Sequence, residues 1–188
     1  IIETVVCYSK SGIIESRKGL IYGPFSPVYG FVAVVFTILL YKIRNISSVF
    51  IFIISAVAGG AFEFFCSWIQ EVFLGTISWE YSDLPVNFQG RTNLMYSMCW
   101  GVLGMVFIKH IYPFISRQLE KIPNKTGVIL SWVLFVFMVF NFLISCCAVR
   151  RYVQRNYDIP AKNEFQRFID NTYPDEYLKK VYPNMIIL

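Results

Sequence analysis

The chain has 188 residues, 56% hydrophobic, 18% aromatic and 15% charged, with a formal net charge of +5. Mean hydropathy is +0.53, whereas a soluble domain carries about 25% charged residues, so composition excludes water as the main solvent. The positive charge suits loops that touch anionic headgroups, and without a continuous basic stripe it excludes a nucleic-acid surface.

In chain order, the mostly apolar opening IIETVVCYSK stops at Lys10 and reads as the end of a helix whose beginning precedes the sequence. It shows neither the basic start nor the small-residue cleavage site of a signal peptide. The segment ESRKGLIYGPFSPVYG follows, with Arg17 and Lys18 ahead of Gly19, Gly23, Pro24, Pro27, Tyr29 and Gly30. Glycine and proline at that density cannot form a regular helix, and irregular backbone at membrane depth is tolerated only where protein buries it or it lines a cavity. Stretches 22–41, 46–74 and 126–149 meet the length of roughly 18 apolar residues that a spanning helix needs. A fourth, 92–108, is uncharged for 17 residues.

Single crossings would alternate the connections between two faces. One face receives 10–21, 75–91 and everything after Val149; the other receives 42–45 and 109–125. Lys and Arg are nearly balanced between them, so the positive-inside rule does not orient the chain. RRYVQR directly after the last span favours the first face as cytoplasmic.

The second span carries AFEFFCSWIQEVF, in which Glu63, Ser67, Gln70 and Glu71 recur at helical spacing on one face. Glu63 lies about 12 Å deeper than Glu71 at ~1.5 Å per residue. A lipid-facing carboxylate there costs on the order of 3 kcal/mol, so Glu63 is expected to face the bundle interior and to have a partner or a raised pKa. The next connection, WEYSDLPVNFQGR, holds more than turn chemistry: Trp79, Glu80, Tyr81, Asp83, Asn87 and Arg91. Together with Arg17 and Lys18 these residues make one face rich in carboxylates and cations, whereas the opposite loops contain little besides Lys and Arg. A plainer reading stands beside each: Arg17, Lys18 and Arg91 as snorkelling residues, Trp79 and Tyr81 as an aromatic belt, Glu80 and Asp83 as loop solvation. Gly59-Gly60 and Gly101-Gly104 read as close helix-packing sites.

The five cysteines show no CxxC spacing and read as buried thiols, and His110 has no cysteine or carboxylate neighbour to form a metal site. Beyond Arg155 the chain is polar. Phe165, Phe168 and Ile169, then Tyr177, Leu178 and Val181, repeat at i, i+3, i+4 and predict two short amphipathic helices. Pro174 opens the second, with Asp175 and Glu176 in its first turn and Lys179 and Lys180 in its last. The expected architecture is therefore all-α: a polytopic integral membrane helix bundle over 1–155, of four full transmembrane helices plus a truncated N-terminal one, with a short amphipathic C-terminal tail over 156–188.

RKGLIYGPFSPVYG, EFFCSWIQE, WEYSDLPVNFQGR with the following Trp100-Gly101, and DEYLKKVYPNM resemble, in that order, motifs of the CmpB-like family of small bacterial membrane proteins labelled "putative ABC-transporter permease". The resemblance implies a multi-pass protein of the cell membrane, and it aligns Glu3 with the last residue of a family Gly-Trp-x-x-Glu pattern. The family's Trp-Asp-Tyr-Ser is Trp79-Glu80-Tyr81-Ser82 here, and its Arg before the first glycine is Lys18, which keeps a cation but loses the planar fork. No catalytic residue or substrate comes with the resemblance.

Three functional classes follow. The first is a transport component that recognises a polar or anionic solute, or a lipid headgroup, through Arg17, Lys18, Tyr29, Glu63, Ser67, Glu71, Trp79, Glu80, Asp83, Asn87 and Arg91. No GxxxxGK[ST] phosphate loop occurs in the chain, so ATP coupling requires a separate ATPase subunit, and a pathway requires a homo-oligomer or another membrane subunit. No cofactor is expected. The second class is a membrane enzyme acting on a phospholipid or isoprenoid phosphate, with the cations clamping phosphate and a carboxylate acting as base or binding a divalent cation. The third is a non-transporting interaction protein in which the carboxylate and cation pairs only hold the bundle and the tail recruits a partner; membrane lipids are expected partners in all three.

Overall fold

The computed structural model describes residues 18–188. The expected N-terminal helix, Glu3 and Arg17 lie outside the described residues. The helices are α1 (Pro27–Leu40, extended by a 3-10 turn, Tyr41–Ile43), α2 (Ser48–Leu74), α3 (Leu94–Val106), α4 (Tyr112–Leu119), α5 (Asn124–Asn156), α6 (Glu164–Thr172) and α7 (Asp175–Val181). Among the described residues four two-residue strands, β1 (Thr76–Ile77), β2 (Asn87–Phe88), β3 (Thr92–Asn93) and β4 (Ile186–Ile187), form two antiparallel pairs, β1 with β4 and β2 with β3.

Among the described residues three helices are long and apolar enough to cross a membrane: Ser48–Leu74, Leu94–Leu119 and Asn124–Asn156. The span expected over 22–41 is a shorter apolar helix, Pro27–Ile43. Its first residues are withheld from the helix by Gly23, at φ 74°, and by Pro24 and Pro27; Gly19 N donates to Phe25 O at 2.9 Å and closes 19–25 into a loop. The fourth span is longer than expected. Residues 109–119, read from sequence as connecting loop, continue the helix through a π segment, Phe107–Ile111, into α4. Pro113, in the first turn of α4, cannot donate to the preceding turn, and the π segment lies directly ahead of it. The last span also outruns its apolar stretch, reaching Asn156.

The described chain divides into two compact units, one of residues 28–68 and 80–136, the other of 18–27, 69–79 and 137–188. In the first unit Val32, Phe36, Leu40, Ile51, Trp100 and Ile108 form a buried core among α1, α2 and the α3–π helix. The small residues expected to let helices approach do so. A Cβ on Gly60 would run into the Ser97 hydroxyl of α3, and one on Gly104 would meet the Ser55 side chain and come within 2.9 Å of the Phe36 ring. Gly104→Leu is therefore expected to destabilise the protein by about 1–3 kcal/mol through overpacking, read as a lowered unfolding midpoint in detergent, while Gly127→Leu, whose Cβ would lie 3.8 Å from its nearest neighbour, changes little. At the end of this unit away from the 80–91 loop, Lys109 Nζ donates to Ser48 Oγ at 2.7 Å and the Arg44 guanidinium lies 4.1 Å from the centre of the Tyr41 ring.

In the second unit Ile21, Ile144, Ala148, Ile169, Tyr173, Leu178 and Val181 form one core. Two uncharged polar residues of α5 seize the backbone ahead of α1. Asn141, fully buried, accepts from Tyr22 N at 3.2 Å and donates to Tyr22 O at 2.8 Å, and Ser145 Oγ accepts from Ile21 N at 3.0 Å. A peptide outside any helix cannot be left unbonded in an apolar surround, and these bonds meet that need. The two short helices expected in the tail are present, with Asn163 capping α6 by accepting from Gln166 N at 2.8 Å. They are held by charge: Arg151, 4% exposed, donates Nε and Nη2 to the two Asp170 oxygens at 3.0 and 2.6 Å, and Arg155 reaches Asp170, Asp175 and the Tyr173 carbonyl. Arg151, in the RRYVQR run that the sequence uses to favour a cytoplasmic face, belongs here to a docking clamp. The chain end is tied in as well, with Ile187 opposite Thr76 and Leu188 N donating to Gly75 O at 3.1 Å.

Candidate functional site

The site is built around a carboxylate that α2 carries into an apolar interior. Glu63 is only 6% exposed. Its Oε1 accepts from the Tyr81 hydroxyl at 3.2 Å and its Oε2 from the Thr92 hydroxyl at 2.8 Å. Both oxygens thus accept a hydrogen bond, as a buried carboxylate requires. One helical turn along, Ser67, also buried, accepts from Arg91 Nη1 at 3.3 Å, and the Arg91 guanidinium lies 5.7 Å from the centre of the Phe64 ring. Glu63 and Ser67, four residues apart on α2, present an anion and a hydroxyl to the loop 80–92 from one helix face, and Phe64 adds its ring beside Arg91.

That loop is ordered by its own polar residues. Tyr81 N donates to Gly90 O at 2.8 Å, Gly90 N donates to Asn87 Oδ1 at 3.1 Å, and Asn87 Nδ2 bonds the carbonyls of Ser82 and Leu84. Asn87 therefore shapes the loop. The β2–β3 hairpin turns through Gln89 and Gly90, at φ 52° and 67°. Glycine is required at the second position twice over: the left-handed backbone favours it, and a Cβ would strike the Glu80 carboxylate and the Ser82 hydroxyl. Glu80 accepts from Ser82 N at 2.8 Å, and the Ser82 hydroxyl and amide hold its carboxyl below the ordinary range. Tyr81 is fixed further by stacking on Tyr96, with centroids 4.7 Å apart and planes at 19°. Asn93 caps α3 by accepting from Tyr96 N at 2.9 Å, so cap, tyrosine pair and Thr92 all lie at the start of α3.

The sequence model described as "Putative ABC-transporter type IV" matches residues 1–146. The chain belongs to that family. No curated protein and no solved structure matches it. The matched stretch takes in all of α1, α2, the 80–92 loop and α3, so the Glu63 site lies within the ABC-transporter family region, whereas the tail motif DEYLKKVYPNM falls beyond it.

Of the residues expected from sequence, the structure brings Glu63, Ser67 and Arg91 together and gives Glu80 and Asn87 loop-forming roles. Tyr29 packs on Trp100, with centroids 5.6 Å apart. Asp83 is exposed at the loop's turn. Lys18, Glu71 and Trp79 belong to the other compact unit, where Lys18 Nζ donates to Ile21 O at 3.1 Å and the Glu71 carbonyl accepts from Gly75 N at 2.9 Å. Gln70, from the same polar face of α2, bonds Thr76 and Ser78 at 3.1 and 3.0 Å and fastens the turn after α2. Sequence reasoning missed Thr92 as a Glu63 partner and gave Tyr81 to an aromatic belt. The available signal was the run Arg91-Thr92-Asn93 directly before an apolar helix, where a capping turn places short polar side chains near the end of the neighbouring span. Among the described residues no three His, Cys, Asp or Glu side chains are grouped so as to hold a metal ion.

Proposed function

We propose that the protein is the membrane-embedded component of a transporter and that it recognises a polar or anionic solute, or a lipid headgroup, beside Glu63 and Arg91. The observation that carries this reading is the arrangement at α2: a carboxylate with both oxygens taken by hydroxyls, and a guanidinium one turn away on Ser67 and the Phe64 ring. Intramembrane ionisable residues mark binding sites or ion pathways by default. Arg91 supplies the planar donor fork that recognises carboxylate or phosphate, and Glu63 is its counter-charge. Family membership supports transport over catalysis. In this reading 1–155 is the transmembrane bundle of a multi-pass protein of the cell membrane, with Pro27–Ile43 as its fourth crossing, 156–188 is a surface tail, and ATP is hydrolysed by a separate subunit.

Native mass spectrometry of the gently purified protein, with lipid and metabolite analysis of what is released, tests the reading. An anionic molecule bound to the parent and lost from Arg91→Gln, with the fold intact by circular dichroism, is the expected result. An empty site in both would reduce the Glu63–Arg91 arrangement to bundle architecture. A phospholipid or isoprenoid phosphate recovered in chemically altered form would move the assignment to a membrane enzyme.

A further inference from the structure

The tail helix α6 turns only part of its apolar face inward. Ile169 is fully buried, yet Phe165 and Phe168, on the same side of the helix, are 54% and 57% exposed. Exposed aromatics at this spacing call for an apolar surround, and the depth of α6 says which one. Ile169 packs in a single cluster with Ile144 and Ala148, and these belong to the apolar stretch of α5, six and two residues before Arg150, where that stretch ends. Phe165 and Phe168 lie within one turn, about 6 Å, of Ile169. They are therefore level with the end of a membrane-spanning segment, where the surround is the boundary between acyl chains and headgroups.

Charge agrees with that placement. Lys162, Arg167, Lys179 and Lys180 are exposed on the tail, while Asp170 and Asp175 are engaged by Arg151 and Arg155. The remaining tail carboxylates, Asp158, Glu164 and Glu176, are fewer than the exposed cations. Tyr157 and Ile159, in the link from α5 to α6, are exposed too. We propose that α6 is an interfacial membrane helix: docked to α5 through Ile169 and the Arg151–Asp170 pair, it inserts Phe165 and Phe168 into the lipid boundary and holds Lys162 and Arg167 at the headgroups. The two short helices would be marginal alone, so the bundle supplies the docking and the bilayer covers the remaining face.

The test is depth measurement on the full chain in phosphatidylcholine–phosphatidylglycerol vesicles. Nitroxides are placed at Phe165→Cys, Phe168→Cys and, as an aqueous control, Glu176→Cys, with Cys7, Cys66, Cys99, Cys146 and Cys147 replaced by alanine. At 165 and 168 relaxation by oxygen is expected to exceed relaxation by a water-soluble nickel chelate several-fold, with the order reversed at 176. Quenching of Phe168→Trp over the parent by acyl-brominated lipid reads the same depth with the native cysteines retained. Preferential access of the nickel reagent to both Phe positions, or no added quenching, overturns the proposal. Shielding from both reagents also overturns it and assigns the face to a second copy or another protein.

Discussion

Glu63→Ala is expected to lower unfolding stability in detergent by about 3–6 kcal/mol, since two hydrogen bonds to a charged group are lost at ~1.5–3 kcal/mol each and the donors stay behind. Tyr81 and Thr92 donate to different oxygens of the same carboxylate, so Tyr81→Phe and Thr92→Val should each cost about half as much. Glu63→Gln keeps the shape and one acceptor oxygen and should fall between these cases. Because the three side chains form one network, the double variant Glu63→Gln/Thr92→Val is expected to be non-additive by about 0.5–3 kcal/mol. Thermal unfolding of the set checks this, with binding of any co-purified anion measured on the variants that remain folded. A fully stable Glu63→Ala protein would mean that the carboxylate is not what holds the 80–92 loop to α2.

What was legible in the sequence, and what was not, divides along physical lines. The membrane class and α2 were legible because apolar length is a one-dimensional property: lipid leaves a long uncharged segment no alternative to helix. The interior placement of Glu63 was legible for the same reason, as a buried charge must be partnered. Its partners were not. Tyr81 and Thr92 stand 18 and 29 residues away, and their approach depends on a hairpin whose register is set by Asn87, Gln89 and Gly90. Helix ends were misread where a local signal competed with a longer-range one. Lys109 looked like the start of a loop, but the helix runs on through the π segment and past Pro113. The 22–41 stretch looked like one span, but Gly23, Pro24 and Pro27 exclude its first turn from the helix and leave Asn141 and Ser145 to satisfy that backbone. Those two residues look innocuous within an apolar helix, and only the partner strand of backbone shows what they do.

Arg151→Ala is the second substitution expected to have a large effect, about 3 kcal/mol, the lower end of the range for breaking a buried ion pair from one side. Arg151 is 4% exposed and also donates to Gln154 at 2.7 Å, so its charge has little access to water once Asp170 is removed, and Asp170→Asn should be nearly as harmful. Arg155 keeps a hold on Asp170 and Asp175, which is why the tail should loosen rather than dissociate in either single variant and detach in Arg151→Ala/Arg155→Ala. Protease cleavage within 157–163 and faster amide exchange across α6 and α7 are the readouts. The clamp has a defined pH window. Hydrogen bonding from Arg151, then Arg155, holds the Asp170 carboxyl below its ordinary range. A group whose folded pKa is depressed stabilises above its unfolded pKa, about 3.9 for Asp, and loses that contribution as pH falls through the folded value. Docking should therefore be unchanged from neutral pH down to roughly pH 5 and weaken only below about pH 4. Asp170→Asn should remove that acid transition while leaving the tail looser at every pH. Release of the parent tail between neutral pH and about pH 6 would instead assign the docking to a group other than this aspartate, because no depressed carboxylate titrates there.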